Sequence, residues 1–151
     1  MALVGWLLVT FAAAAVGAIA SVDSAEFYLS LDRPAWAPPA SAFAPVWTIL
    51  YILMAVAAWL VWLRRGFTGA HVLFLAQLVT NALWTWLFFV WRAGALAFVE
   101  ALVLWLLVAG TAIAFWRVQR AAALLLAPYL AWVTFAIALT YAVWQRNPGL
   151  L

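Results

Sequence analysis

The chain has no cysteine and no lysine, and its 151 residues include only seven arginines and four acids. Without cysteine, disulfides, thiolate metal sites and thiol catalysis are excluded. Charged residues make up 7% of the chain, against about 25% in an ordinary globular domain. A soluble protein could not cover its surface with so few charges, so most of the chain must face lipid. So few basic residues, spread thinly, also argue against a nucleic-acid partner.

What the chain does have is long apolar stretches, 72% hydrophobic residues in all, separated by the few charges. A helix needs about 20 mainly apolar residues to cross a bilayer. The pattern therefore predicts an all-α membrane protein, a five-transmembrane-helix bundle forming a single domain over residues 1–151. The predicted spans are 2–20, 45–63, 70–90, 94–116 and 122–144. Because the last three linkers are short, sequential helices are expected to be antiparallel neighbours.

The first span resembles a secretory signal in one respect, since Ala18-Ile19-Ala20 before Ser21 could serve as a cleavage site. A secretory signal normally opens with a basic region, and no basic residue precedes Arg33. We therefore expect a retained helix.

The orientation follows from the arginines. Five spans place Arg64, Arg65, Arg117 and Arg120 on the side of the N-terminus, and Arg33, Arg92 and Arg146 on the other. The positive-inside rule counts Lys and Arg and largely ignores acids. Four against three predicts the N-terminus in and the C-terminus out, in what we expect to be a bacterial cell membrane.

The linker between the first two spans, residues 21–44, is the only long one and holds three of the four acids. Its prolines, Pro34, Pro38 and Pro39, prevent it from extending a span. A long loop in a compact protein is often a lid or binding element. Trp36 lies in the middle of this predicted lid loop, and an interfacial anchor is an equally good interpretation of it.

The third span carries a one-sided stripe of polar and aromatic residues, at offsets 0, 3, 4, 7, 8 and 11. Its members are Gln77, Thr80, Asn81, Trp84, Thr85 and Phe88. This spacing is one helix face, and its amides and hydroxyls should point into the bundle. Interhelical hydrogen bonding is one explanation. The large aromatic side chains favour a second, a cavity for a planar ligand.

Two other spans can supply matching walls. Tyr129, Trp132, Ala136 and Thr140 share one face of the fifth span, and Trp47 and Tyr51 lie four residues apart on the second. Interfacial belts would account for tryptophans near span ends. These are Trp6, Trp62, Trp91, Trp116 and Trp144. We assign Trp47, Trp84 and Trp132 to a pocket instead.

Four motifs, in order along nearly the whole chain, carry a resemblance. They are Trp36-Ala37-Pro38-Pro39; Pro45 to Tyr51; Ala76-Gln77-Leu78 with Asn81, Trp84 and Phe88-Phe89; and Pro128 to Trp132 with Phe135-Ala136. Together they are similar to the TspO/MBR family of tryptophan-rich sensory proteins and mitochondrial translocator proteins. The resemblance implies a homodimeric five-helix bundle whose pocket the first loop closes.

The resemblance also implies a ligand and its site. Family members bind porphyrins and haem-related tetrapyrroles, and some bind sterols and benzodiazepine-type drugs. Porphyrin or haem would thus be a bound ligand, with no cofactor required. The expected ligand-binding residues are Trp36, Trp47, Tyr51, Asn81, Trp84, Phe88, Phe89, Trp132, Ala136 and Thr140. Thr140 departs from the asparagine that many members have there, which removes an amide from that wall.

Three functions remain open: a tetrapyrrole-binding receptor or sensor, a transporter of porphyrins or sterol-like lipids, and a light-dependent porphyrin-degrading enzyme. For the enzyme, Trp36 and Trp132 are the catalytic candidates, although no nucleophile–base pair is present. His71 has no second ligand at metal-binding spacing, so no metal site is expected. Glu100, the one acid inside a span, should snorkel or face a water-filled cavity, and we expect it to serve structure or assembly.

Overall fold

The computed structural model describes residues 1–151, and all of its regular structure is helical. Six α-helices run in the order α1 Ala2–Ala20, α2 Ser24–Ser30, α3 Phe43–Arg65, α4 Gly69–Thr85, α5 Gly94–Trp116 and α6 Arg120–Arg146. A 3-10 turn, Ala40–Ala42, leads into α3, and a π-helical turn, Trp86–Val90, continues α4. All but α2 are long and apolar enough to cross a membrane. The predicted five-span bundle is confirmed, and each span ends within two residues of its predicted position.

The first linker differs from the predicted loop, because residues 24–30 form the helix α2. Helix formation is possible there since the prolines that forbid it begin only at Pro34. Residues 21–23 form a turn before α2, and the part from Leu31 to Pro39 also lacks helical structure. The prediction of one long loop is therefore wrong for α2, and the role of the linker as a lid stays a prediction.

The five long helices form a closed ring in the order α1, α3, α6, α5, α4. Sequential helices α4, α5 and α6 are neighbours, as their short linkers predict. Helices α3 and α4 are not side by side in this ring, although a short linker joins them. Gly66, at the end of α3, has φ of 65°, and Thr68 is extended, so the chain crosses the end of the ring before α4 begins. Long side chains then bridge the space between the two helices.

The half of the ring next to this crossing is tightly packed. Val61, Phe74 and Phe115 are fully buried there, and the rings of Phe74 and Phe115 stack 6.0 Å apart. Trp6 belongs to this core, being only 8% exposed, with its ring 4.8 Å from that of His71. The expectation of Trp6 as an interfacial belt residue is wrong, because α1 turns it toward the centre of the ring.

The π-helical turn after α4 changes the direction of its last residues. Its backbone N–H groups reach back five and six residues, from Trp91 to the carbonyl of Trp86 and from Ala93 to that of Leu87. Arg92 then takes a positive φ of 48° before α5 begins. π-Turns within helices are frequent at functional sites. Here the turn carries Phe88 and Phe89 on the side of the bundle opposite the packed core.

Candidate ligand-binding site

The other half of the ring encloses a cavity of about 510 Å³. All five long helices and the first linker contribute to its lining, which consists of 28 residues. Of these, 21 are hydrophobic, and none is charged or a histidine. Ligand pockets commonly measure about 300–1,000 Å³ and are mainly apolar with a few polar groups. The cavity has the size and chemistry of a site for an uncharged, largely apolar small molecule.

A layer of four polar side chains separates the cavity from the packed core. The Tyr51 hydroxyl donates to Asn81 Oδ1 at 2.9 Å, and Asn81 Nδ2 donates to the Tyr129 hydroxyl at 2.7 Å. The Tyr129 hydroxyl in turn donates to Gln77 Oε1 at 2.7 Å. Tyr51 and Asn81 face the cavity, whereas Tyr129 and Gln77 lie beneath them, 0% and 1% exposed. This polar floor, Tyr51, Gln77, Asn81 and Tyr129, joins α3, α4 and α6.

One wall of the cavity is an aromatic cluster at the end of α4. The rings of Trp84 and Phe88 are stacked, 5.0 Å apart and 11° from parallel. Phe89 meets both rings edge-on, at 6.0 Å from Trp84 and 5.0 Å from Phe88. The π-turn makes this arrangement possible, since Phe88 and Phe89 are adjacent in sequence yet both line the cavity.

The opposite wall comes from α3 and α6. The Trp132 ring lies 6.4 Å from Trp47 at 88° and 5.9 Å from Phe43 at 74°. Phe135 extends this wall, 5.4 Å from Trp132. Edge-to-face pairs of this kind favour fixed ring positions. Two aromatic walls therefore face each other across the cavity, with the polar floor between them.

The first linker covers the remaining side. Tyr28 lines the cavity and donates its hydroxyl to the Pro38 carbonyl at 2.7 Å. Asn147, after α6, accepts the Asp32 N–H through Oδ1 and donates to the Asp32 carbonyl through Nδ2, each at 2.9 Å. Asp32 also forms an exposed ion pair with Arg146, at 3.6 Å. These contacts fix the linker to the end of α6.

Comparison of the sequence with known proteins identifies the family of this chain. The TspO/MBR family matches residues 6–145. The Tryptophan-rich protein TspO of Chlorobaculum tepidum is 40% identical over 81% of this chain and 80% of its own length. The Tryptophan-rich sensory protein of Cereibacter sphaeroides is 39% identical over 90% and 85%. The human Translocator protein is 38% identical over 84% and 78%.

The chain belongs to the TspO/MBR family. It is thus a membrane protein of the family that includes tryptophan-rich sensory proteins and translocator proteins. This confirms the resemblance drawn from the four sequence motifs.

The structure brings nine of the ten predicted site residues of this TspO/MBR chain to the cavity. They are Trp47, Tyr51, Asn81, Trp84, Phe88, Phe89, Trp132, Ala136 and Thr140. Trp36 is not part of the lining. Its side chain is 51% exposed and packs against Phe135, whose ring does line the cavity. The linker places Trp36 next to the wall residue, outside the cavity itself.

The polar stripe of α4 takes part both in interhelical hydrogen bonding and in the lining of the cavity. Gln77 and Asn81 form interhelical hydrogen bonds in the polar floor. Trp84, Thr85 and Phe88 line the cavity. The same helix face thus contains the hydrogen-bonded amides and, toward its end, the cavity lining, with Asn81 in both; a planar ligand stays a prediction.

Sequence reasoning missed the wall that α1 supplies. It consists of Phe11, Ala14, Gly17 and Ala18. These residues share a helix face, but Thr10 is the one polar side chain of α1, so polar contrast hardly distinguishes that face from the lipid-facing one. The contributions of Ser24, Ala25 and Tyr28 were also missed, because the linker was expected to be a loop. The available signals in α1 were its small residues, which leave space beside a neighbouring helix, and Thr10, which the structure buries.

Glu100 and His71, the one acid and the one histidine within the spans, both lie outside the cavity. Glu100 is 9% exposed, and both carboxyl oxygens are buried without a hydrogen-bond partner. Of the two expected alternatives, snorkelling is wrong, because α5 turns Glu100 inward with Ala97, Ala101 and Leu104, and Glu100 does not line the cavity described above. His71 caps the start of α4: Nδ1 accepts the Thr68 N–H, and Nε2 lies 3.1 Å from the Ala58 carbonyl. Both imidazole nitrogens thus serve the fold.

Proposed function

We propose that this chain is a membrane receptor or sensor that binds tetrapyrroles, such as protoporphyrin, and similar flat hydrophobic ligands. The observation that carries the proposal is the uncharged cavity of about 510 Å³, with aromatic walls on two sides and a polar floor. Flat aromatic walls give a planar macrocycle a large stacking area, and the floor offers groups that orient it. The names of the relatives, which are sensory and translocator proteins, are in keeping with it.

The chemistry of the lining also bears on whether the bound tetrapyrrole carries an iron atom. It contains no histidine, methionine or charged side chain, and its two tyrosines, Tyr28 and Tyr51, already donate hydrogen bonds within the protein. It therefore offers no free axial ligand for a haem iron and no cation to pair with a carboxylate. We therefore favour metal-free tetrapyrroles over haem. The propionate groups of protoporphyrin would have to remain beyond the lining, because burying them unpaired is costly.

The test is titration of the purified protein with protoporphyrin in the dark, followed by quenching of tryptophan fluorescence. Ala136→Phe places a ring in the cavity and should weaken binding at least about tenfold. Ala131→Phe is the matched control, because Ala131 lies on the exposed face of the same helix. Equal affinities of the two variants, both correctly folded, would contradict binding in this cavity.

Two alternatives use the same cavity. Transport agrees with the name of the translocator relatives, and would appear as ligand flux across sealed vesicles containing the protein. Light-dependent degradation is favoured by the Trp132 ring, which lines the cavity and would touch a bound porphyrin. Illumination of the complex should then give a new product, lost in Trp132→Phe. Trp36, the other candidate, lies outside the lining, and Trp36→Phe tests it in the same assay.

We further propose that the N-terminus is cytoplasmic, the C-terminus external and the membrane a bacterial cell membrane. The four-to-three distribution of arginines supports the orientation, and the similarity to the proteins of Chlorobaculum tepidum and Cereibacter sphaeroides supports the bacterial membrane. Because the chain has no cysteine, a single introduced cysteine can show on which side of the membrane its linker lies. In right-side-out vesicles, an impermeant maleimide should label Asp23→Cys but not Phe67→Cys, an exposed linker position that leaves all seven arginines in place, and inverted vesicles should give the reverse. The opposite labelling would overturn this orientation. The homodimer stays a prediction.

A further inference from the structure

The exposed part of the cavity lining is confined to one side of the bundle. The exposed lining residues are Phe11, Ala18, Ala25, Ala44 and Thr48. The first two belong to α1, Ala25 belongs to α2, and the last two belong to α3. The lining residues of α4, its π-turn, α5 and α6 face the same cavity, yet none of them is exposed. The cavity therefore opens outward between α1 and α3.

The contacts between α1 and α3 explain this opening. In the packed half of the bundle, the Trp6 and Trp62 rings lie 6.1 Å apart. The last aromatic contact between the two helices is that of Phe11 with Tyr51, at 6.0 Å. Beyond this pair, toward the first linker, no hydrogen bond or aromatic contact joins α1 to α3. We call the resulting gap, bordered by the five exposed lining residues, the portal.

The two helix pairs on either side of the portal are closed by direct contacts. Between α1 and the π-turn after α4, the Trp86 indole donates to the Val16 carbonyl at 3.2 Å. Between α3 and α6, the Phe43 and Trp132 rings meet edge-on at 5.9 Å. The opening is thus specific to α1 and α3.

The portal faces lipid, because it lies within membrane-spanning helices. Phe11 and Ala18 belong to the span Ala2–Ala20, and Ala44 and Thr48 belong to the span Ala40–Arg65. From Phe11 to Ala18 the gap extends about 10 Å along α1, at 1.5 Å per residue. Thr48 is the one polar residue at its border, and its hydroxyl donates to the Ala44 carbonyl at 2.8 Å. The border therefore offers no free polar side chain to an apolar molecule that passes it.

We infer that the ligand enters and leaves the cavity sideways from the lipid, through the portal, and not from the water. The inference rests on the proposed function and narrows the ligand to flat molecules that dissolve in the bilayer and carry their polar groups along one edge. Ala25 forms the outer border of the portal, so a looser first linker would also widen it.

The position of the portal explains the requirement for one polar edge. Helix α1 has 19 residues, and a helix of about 20 residues spans the hydrocarbon core, so its ends reach the headgroup region. Ala18 lies two residues before the end of α1, and Ala44 is the second residue of α3. A ligand can therefore occupy the cavity while its polar edge stays at the level of the headgroups. Protoporphyrin, whose propionates lie on one side of the macrocycle, meets this requirement.

The test bridges the portal reversibly. Because the chain has no cysteine, Ala18→Cys combined with Ala44→Cys provides the only thiols, which a bis-maleimide with a cleavable disulfide spacer joins across the gap. Mass spectrometry identifies chains in which both thiols carry one bridge. The full chain in detergent is loaded with protoporphyrin in the dark, bridged, and diluted into excess empty micelles, and the recovery of tryptophan fluorescence measures release. The bridge should slow release at least about tenfold, and reduction of the spacer should restore the rate.

The control for the bridge is the same double variant with its thiols capped singly by N-ethylmaleimide. A second measurement needs no bridge. Thr48→Phe narrows the portal and should slow association and dissociation about equally, by about threefold to tenfold, with little change in the dissociation constant. Ile49→Phe is the matched control, because Ile49 is 58% exposed on the same helix and does not line the cavity.

The inference is overturned if the bridged protein releases protoporphyrin as fast as the capped protein. It is also overturned if Thr48→Phe and Ile49→Phe exchange protoporphyrin at the same rates. Failure of the unmodified protein to bind protoporphyrin would instead remove the proposed function, and this inference with it.

Discussion

Asn147 and Asp32, 115 residues apart in sequence, are joined by a pair of hydrogen bonds between the asparagine side chain and the aspartate backbone. Asn147 is 7% exposed, and its Nδ2 also donates to the Val143 carbonyl at 2.7 Å. The amide thus continues the hydrogen bonding of α6 and attaches the first linker to it. This connection bears on how a ligand leaves the cavity, because the same linker lines one side of it.

Asn147→Ala should speed dissociation of protoporphyrin about fivefold to tenfold, because the linker loses its two bonds to α6. A stopped-flow chase with excess unlabelled competitor measures the rate. Arg146→Gln is the control. It removes only the exposed ion pair with Asp32, which contributes about 0–1 kcal/mol, and should leave the rate nearly unchanged. Equal rates for all three proteins would show that the linker does not control release.

Tyr129→Phe should destabilise the bundle by about 1–3 kcal/mol. The hydroxyl accepts from Asn81 and donates to Gln77, so its removal leaves two buried amides unsatisfied. Thermal unfolding in detergent, followed by circular dichroism, measures the change. Tyr141→Phe makes the same chemical change at a residue that is 49% exposed and should unfold like the unmodified protein. A Tyr129→Phe melting temperature within error of that control would contradict the structural role of the polar floor.

Trp132→Ala should weaken protoporphyrin binding by about 1–3 kcal/mol, roughly 5- to 150-fold, because it removes a wall ring. The best control is Trp116→Ala, whose ring is 47% exposed and contacts only the Arg120 guanidinium among charged or aromatic groups. The position of Trp62 near a span end would also suggest it as a control. Trp62 is less suitable, because its ring packs against Trp6 and His71. If Trp116→Ala weakens binding as much as Trp132→Ala, the facing walls are packing surfaces only.

Glu100→Met should raise the melting temperature by about 2–4 °C. Replacing a buried, unpartnered polar group with an apolar one of similar length removes its desolvation cost. Glu26→Met, at an exposed position in α2, should bring no such gain. Protoporphyrin affinity should stay unchanged in Glu100→Met, because Glu100 does not line the cavity. A loss of affinity would show that the carboxyl group serves ligand binding rather than the fold.

The sequence predicted the five spans well because charges are costly in lipid, so the few charges lie at the span ends. It also predicted much of the site on α3, α4 and α6, where polar residues single out one helix face. It failed for α1, where a single polar residue, Thr10, gives little contrast to mark the inner face, and for α2, whose apolar contacts form only in three dimensions. The ring order could not be derived either, because a short linker limits distance and leaves the choice of neighbours to packing.

The π-helical turn at Trp86–Val90 makes the number of residues in this segment critical for the direction of the chain after it. A π-turn contains one residue more than the α-helical turn it replaces, and each residue of an α-helix rotates the chain by about 100°. Deleting a single residue between Leu87 and Val90 would let α4 continue as an ordinary helix. Arg92 and the start of α5 would then face a different side of the bundle. This short segment should therefore tolerate substitutions far better than insertions or deletions, and related sequences should keep its length even where its residues differ.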